Sequence, residues 1–290
     1  MTTILRLTRP LYLAFAVLAY ILGVSLADYL AIPFDTAAFW LGLFGVILAQ
    51  TAMSLLAEAF RPTSDPLLPE ETFAQRKSLR DSLLYISYGA LAALAVICFV
   101  LYVQGRMSPQ ALLFEGLSLL LVLILGVPPV RLVSRGFGEL TLATHLGYVI
   151  PSLGFLLQAG EYHRLLGVVT FPLTAMGLAC LIALSFQTFA QDRKFNRRTL
   201  LVSVGWERAV PLHNILIAAT YFIFLASILL GFSFGLLWPA FLTLPFALLQ
   251  IALLRNIALG NKPAWTPLTV TAIAVHGLTI YFLIWTFWLR

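Results

Sequence analysis

Long apolar stretches alternate with short polar breaks from Pro10 to Trp288, and none shows the two-residue alternation of a barrel strand. Runs of about 17–25 apolar residues match the thickness of a bilayer and predict nine helices, at roughly 11–31, 37–59, 83–104, 110–130, 137–158, 165–188, 210–231, 235–255 and 267–288. A helix satisfies its own backbone in lipid. The expected fold class is therefore all-α, a polytopic membrane protein of nine transmembrane helices read as a single domain over 1–290.

Composition strengthens that reading. With 61% hydrophobic and 10% charged residues, the chain is too apolar for a soluble fold of 290 residues, and lipid is its expected solvent. The first apolar run follows Arg6 and Arg9 as a signal peptide would, but no convincing cleavage region follows it, so a retained first helix is expected. Cys98 and Cys180 lie inside apolar runs and read as small buried hydrophobes.

Charge then orients the helices. If the N-terminus is cytoplasmic, the N-terminal tail and the connections after helices 2, 4, 6 and 8 hold 15 of the 18 basic residues, leaving Arg106, Arg164 and Arg290 outside. This predicts a multi-pass protein of the inner (cytoplasmic) membrane, N-terminus in and C-terminus out. The net charge of +6 is thus accounted for at the membrane surface, and no nucleic-acid partner is expected.

Candidate chemistry gathers at the same side. Gln50, Ser54, Ala57 and Glu58 are spaced by four, three and one, which sets a polar face on helix 2 that ends in a carboxylate, with Asp65 seven residues on. Ser185, Thr188 and Asp192 repeat the device at the end of helix 6. Carboxylates from facing helices can hold Mg²⁺, so Glu58, Asp65 and Asp192 are the candidate metal-ligating and catalytic residues. Arg61, Lys77, Arg193, Lys194, Arg197 and Arg198 are candidate phosphate clamps, joined by Arg135 at the same interface. The alternative is a set of solvated loops that merely obey the positive-inside rule.

A third segment, GVPPVRLVSRGFGELTLA from Gly126 to Ala143, ends helix 4 at Pro128 and Pro129 and re-enters helix 5 through Gly136 and Gly138. Glu139 sits one turn inside, either as a helix N-terminal charge or as a pocket residue beside Gln50, Ser54 and Thr188. His145, His163, His213 and His276 have no metal-ligand spacing and read as packing or interface histidines.

PPVRLVSRGFGELTLA, DRKFNRRTLLVSVG and LTRPLYL resemble segments of the UbiA superfamily of intramembrane prenyltransferases, nearest to the MenA-type (dihydroxynaphthoate polyprenyltransferase) group. That resemblance implies nine helices around a central cavity, with Asp-rich motifs on helices 2 and 6 that bind Mg²⁺ and a prenyl diphosphate. It implies transfer of the isoprenoid chain to an aromatic or other lipid-soluble acceptor, as in menaquinone biosynthesis. Asp192 matches the second Asp of the helix-6 motif, while Thr188 stands at the first and Ser185 where Asn or Arg is usual. Asn196 and Arg197 replace a Gly-Lys pair. On helix 2, Glu58 takes the place of the first Asp, Arg61 that of the second, and Asp65 is the last acid. The better-matched Asp192 is expected to matter more to activity than Asp65.

Two other functions fit the sequence. Loss of acids at Thr188 and Arg61 would suit a catalytically inactive relative that binds prenyl lipid or a partner enzyme. Gln50, Gln158, Gln187 and Gln250 inside apolar runs would suit a transporter, although no internal repeat is visible.

Overall fold

The computed structural model describes residues 2–68 and 71–289; Arg290, placed outside by the charge pattern, lies beyond them. Among the described residues, nine helices are long and apolar enough to cross a membrane. They are α1 (Pro10–Tyr29), α2 (Thr36–Ala59), α3 (Phe73–Val103), α4 (Pro109–Gly126), α5 (Gly138–Ala159), α6 (Arg164–Lys194), α7 (Trp206–Leu229), α8 (Phe234–Ala258) and α9 (Trp265–Trp288). No strand occurs among these residues. The chain is an all-α polytopic membrane protein.

Caps explain where several helices begin. Asp35 accepts from the amides of Ala37 and Ala38 at the start of α2, and Ser108 accepts from Ala111 before Pro109 opens α4. Thr72 and Gln75 form a reciprocal capping box, so α3 starts at Phe73 rather than near 83. Arg76, Lys77 and Arg80 are thereby helical rather than on a loop. At its other end, α6 spans 31 residues, about 46 Å at ~1.5 Å per residue, which exceeds a ~30 Å hydrocarbon core. The excess carries Thr188 and Asp192 beyond the apolar region on a rigid helix.

Burial divides the bundle. Helices α5 and α6 are the most enclosed, whereas α3 and α4 turn most of their apolar residues outward, as expected for lipid-facing walls. Helices α1 and α5 cross closely because both contact points are glycine. A Cβ on Gly23 would strike the carbonyl of Pro151, and one on Gly154 would strike the carbonyl of Tyr20. Further along α5, His145–Val149 forms a π-helical turn, with His145 fully buried.

Candidate functional site

At one end of the bundle a cavity of about 370 Å³ lies between α1, α2, α5, α6 and the connections that follow α2, α4 and α6. Its walls combine apolar groups such as Met53, Leu125, Leu142 and Leu181 with a polar mouth. Helices α7, α8 and α9 contribute nothing to the lining. Glu58, Asp65, Asp192, Arg61, Arg197, Glu139, Gln50, Ser54 and Thr188, all singled out by sequence pattern, line this cavity.

The acids and arginines of the mouth form one chain of alternating charge. Arg9 donates to Glu58 at 2.8 Å, and Arg61 donates to the other oxygen of Glu58. Arg61 also approaches Asp65 at 3.6 Å. Arg197 then grips Asp65 through Nε and Nη2, both at 2.7 Å, and reaches Asp192 through Nη1 at 3.0 Å. Thr188 donates to the second oxygen of Asp192 at 2.7 Å. Glu58, Asp65 and Asp192 are all buried, being 2–3% exposed, and this pairing offsets the cost of taking them out of water. The hydrogen bonds that Arg197 donates to Asp65, ahead of the charges of Asp65 and Asp192, push its pKa up and hold it protonated.

Glu139 accepts from the Leu200 amide at 3.1 Å and from Ser185 at 3.4 Å, tying the start of α5 to α6 and to the short helix Leu200–Val204. Deeper in, Gln50 lies within 3.3 Å of His145, whose other ring nitrogen lies 3.0 Å from Ser118. That satisfied pair agrees with the packing role expected of His145.

Five predicted phosphate clamps are not brought to the cavity. Lys77, Arg135, Arg193, Lys194 and Arg198 are exposed and absent from its walls. The reason is helical phase and local bonding. Arg135 turns back to the Pro129 carbonyl at 2.9 Å, while Arg193 lies over Phe189 and Lys194 over Phe195. In their place stand Arg9 and Arg131, together with Tyr12 and Asn196. Pattern reading could not select these, because Arg9 and Arg131 sit among other interfacial cations with nothing in their spacing to set them apart.

Arg131 differs from the other three cavity arginines. Among the described residues its side chain has no acidic partner, and its buried Nε has no hydrogen-bond acceptor. Burial, followed by repulsion from Arg61, pushes its pKa down. Its backbone is also left-handed at φ 43°, as are Arg9 at 53° and Asn196 at 56°. Among the described residues, three of the four non-glycine residues with positive φ therefore line this one cavity, at a cost of order 1 kcal/mol each.

The donor set was expected to hold Mg²⁺ through Glu58, Asp65 and Asp192, and the geometry does not fit that expectation. Both oxygens of Glu58 and of Asp65 accept from guanidinium groups, and Asp192 is shared by Arg197 and Thr188. Among the described residues, no three His, Cys, Asp or Glu side chains come together as a metal site. Sequence spacing carries no record that arginines occupy the lone pairs of these acids, which line one cavity.

Four glutamines suggested a transport path, and the structure disperses them. Gln50 and Gln187 line the cavity, Gln158 bonds the backbone of Asp35, and Gln250 is buried in α8 away from it.

No protein-family model matches the chain, and no curated protein matches it either. Solved structures do. A UbiA homolog from Archaeoglobus fulgidus bound to DMAPP and Mg²⁺ superposes with a TM-score of 0.69 at 14% identity, covering 97% of this chain and 99% of that one. A structure described under digeranylgeranylglyceryl phosphate synthase gives 0.68 at 14% identity, covering 100% and 99%. The apo UbiA homolog from Aeropyrum pernix K1 gives 0.60 at 16%, covering 93% and 96%. The chain therefore has the fold of these UbiA homologs over nearly its whole length.

Proposed function

We propose that this protein moves an isoprenoid chain from a prenyl diphosphate to an aromatic or other lipid-soluble acceptor, within quinone or related lipid biosynthesis. One observation carries the reading: an apolar cavity in a UbiA-type bundle, with Arg9, Arg61, Arg131 and Arg197 gathered at its mouth. The diphosphate would sit at the arginines and the prenyl tail among Met53, Leu142 and Leu181. The MenA-type motif SRGFGE favours a dihydroxynaphthoate-like acceptor. Residues 1–290 would act as one catalytic unit, with the mouth facing the cytoplasm as the basic residues indicate.

In the reaction, the bond between the prenyl C1 and the diphosphate oxygen breaks, and both electrons leave with the diphosphate. The electron-rich acceptor carbon bonds to C1, and its displaced proton is taken up by the released diphosphate. The protein's part is to neutralise charge growing on the leaving group and to keep water from the allylic cation. Arg61 and Arg197 are held in place by buried acids, so they need no reorganisation as that charge develops. Two similar structures carry Mg²⁺ with their ligands, DMAPP in one and GPP in the other. The carboxylates here are engaged by arginines, so no step is routed through a metal.

Labelled geranylgeranyl diphosphate added to membranes containing the protein, with a dihydroxynaphthoate acceptor, tests the proposal. Expected is a prenylated product and release of diphosphate, both lost in Arg197→Ala. A second reading, favoured by Thr188 and Arg61 at positions where the resemblance implies acids, is a prenyl-lipid binding protein. Saturable binding of the diphosphate without turnover on any of several acceptors would select it.

A further inference from the structure

We infer that the mouth of this cavity binds the diphosphate of its prenyl substrate through guanidinium groups alone, without a divalent cation. The inference rests on the reading of the cavity as a prenyl-diphosphate site and adds how that site handles charge. It follows from the pairing of the wall residues. Formal charges balance, since Arg9, Arg61, Arg131 and Arg197 face Glu58, Asp65, Glu139 and Asp192. The pairing does not balance, because Arg131 has no acid of its own among the described residues while every carboxylate is already bonded.

The two ways of admitting a diphosphate differ in what they disrupt. Mg²⁺ needs several oxygen ligands in near-octahedral array, so Glu58 or Asp65 would have to leave its arginines. Freeing Glu58 strips Arg9 and Arg61 together, and freeing Asp65 breaks the twin 2.7 Å bonds of Arg197. Each such move breaks charge-assisted bonds to a buried carboxylate, bonds that the metal must then replace. A diphosphate without metal asks less. Arg131 is available as it stands, its guanidinium half-shielded in the wall and its Nε lacking an acceptor.

Arg197 offers the second contact. Its fork matches a phosphate as well as a carboxylate, so it can pass from Asp65 to the incoming anion in one exchange, leaving Asp65 to Arg61 at 3.6 Å. Asp65 is therefore a placeholder for the anion rather than a metal ligand. The left-handed backbone at Arg9 and Arg131 is consistent with cations fixed in position before substrate arrives. Exposed Arg135, Arg193, Lys194 and Arg198 surround that end and raise the local potential without touching the ligand.

Calorimetric titration of the purified full-length protein in detergent micelles with geranylgeranyl diphosphate, in EDTA and in excess Mg²⁺, tests this. The expected result is an affinity that agrees between the two buffers within about threefold. In EDTA, Arg131→Gln should weaken binding by about tenfold or more, as for loss of a charged hydrogen bond, with its unfolding temperature recorded as a check on folding. Asp65→Asn should bind at least as tightly as the unaltered protein, because a competitor for Arg197 has been neutralised. Binding that requires Mg²⁺, or that Asp65→Asn abolishes, overturns the guanidinium inference and leaves the prenyltransferase reading standing. No binding in either buffer overturns both.

Discussion

Arg197 reaches across the mouth of the cavity from the connection after α6 to the connection after α2, holding both oxygens of Asp65 at 2.7 Å over a sequence separation of 132 residues. The same guanidinium holds Asp192, so one side chain compensates two buried acids that pattern reading had treated as partners of a metal.

Arg197→Ala is accordingly expected to cost about 3 kcal/mol of stability, because buried Asp65 then keeps only Arg61 at 3.6 Å and Asp192 only the Thr188 hydroxyl. Adding Asp65→Asn in the same chain should recover part of that loss. Thermal unfolding of the two variants in detergent would check it, and equal unfolding temperatures would contradict the coupling.

Asp192→Ala should depress prenyl transfer more than Asp65→Ala. Asp192 ends a rigid helix and orients Arg197 and Thr188, whereas Asp65 competes with the substrate for the same guanidinium. Steady-state rates on purified protein would decide it, and the reverse order would remove Asp192 from its positioning role.

Gln50, in the cavity wall, and His145 form a buried polar pair, and removing either leaves one buried polar atom of the other unpaired. Gln50→Leu and His145→Phe should each cost about 1–3 kcal/mol, and the double variant less than their sum. Unfolding of all three variants under identical conditions gives the coupling energy directly; strict additivity would show that the pair is not a unit.

At the opposite end, Arg106 binds Asp35 at 2.6 Å while Asp35 caps α2. The Arg106 hydrogen bond first, and the capping amides after it, hold the Asp35 carboxyl below its ordinary value. A depressed folded-state pKa means stability that is present above the unfolded value, about 3.9, and is lost as pH falls through the folded one. Asp35→Asn should flatten the fall in unfolding temperature below about pH 4, and an unchanged acid limb would refute this.

Helix packing offers a test independent of the site. Gly23→Leu should prevent α1 from meeting α5 at Pro151, a backbone contact that cannot yield. Loss of the monodisperse folded species on size-exclusion chromatography is the expected outcome, while a Gly89→Leu control, whose Cβ meets nothing within 4 Å, should fold normally.

What the sequence determined by itself is what depends on local composition and period. Apolar runs of bilayer length specify the nine helices, because lipid offers the polar backbone of such a run no hydrogen-bond partner outside itself. Helical spacing likewise put Gln50, Ser54 and Glu58 on one face of α2, and Ser185, Thr188 and Asp192 along α6, and all six line the cavity. Helix ends were read less well where polar residues continue the helix past the membrane, as at Phe73 and Lys194, since hydropathy ends before hydrogen bonding does.

Only the tertiary structure decided which charges meet. An arginine's guanidinium can settle on a carbonyl, an aromatic face or a carboxylate several ångströms away, and sequence spacing carries no record of that choice. Arg135 and Arg193 took only the first two and left the cavity, whereas Arg9, Arg61 and Arg197 also reached the third. Arg131 took none among the described residues. The acids that looked like metal ligands became the supports of arginines because buried carboxylates must be compensated by the nearest cations the fold supplies.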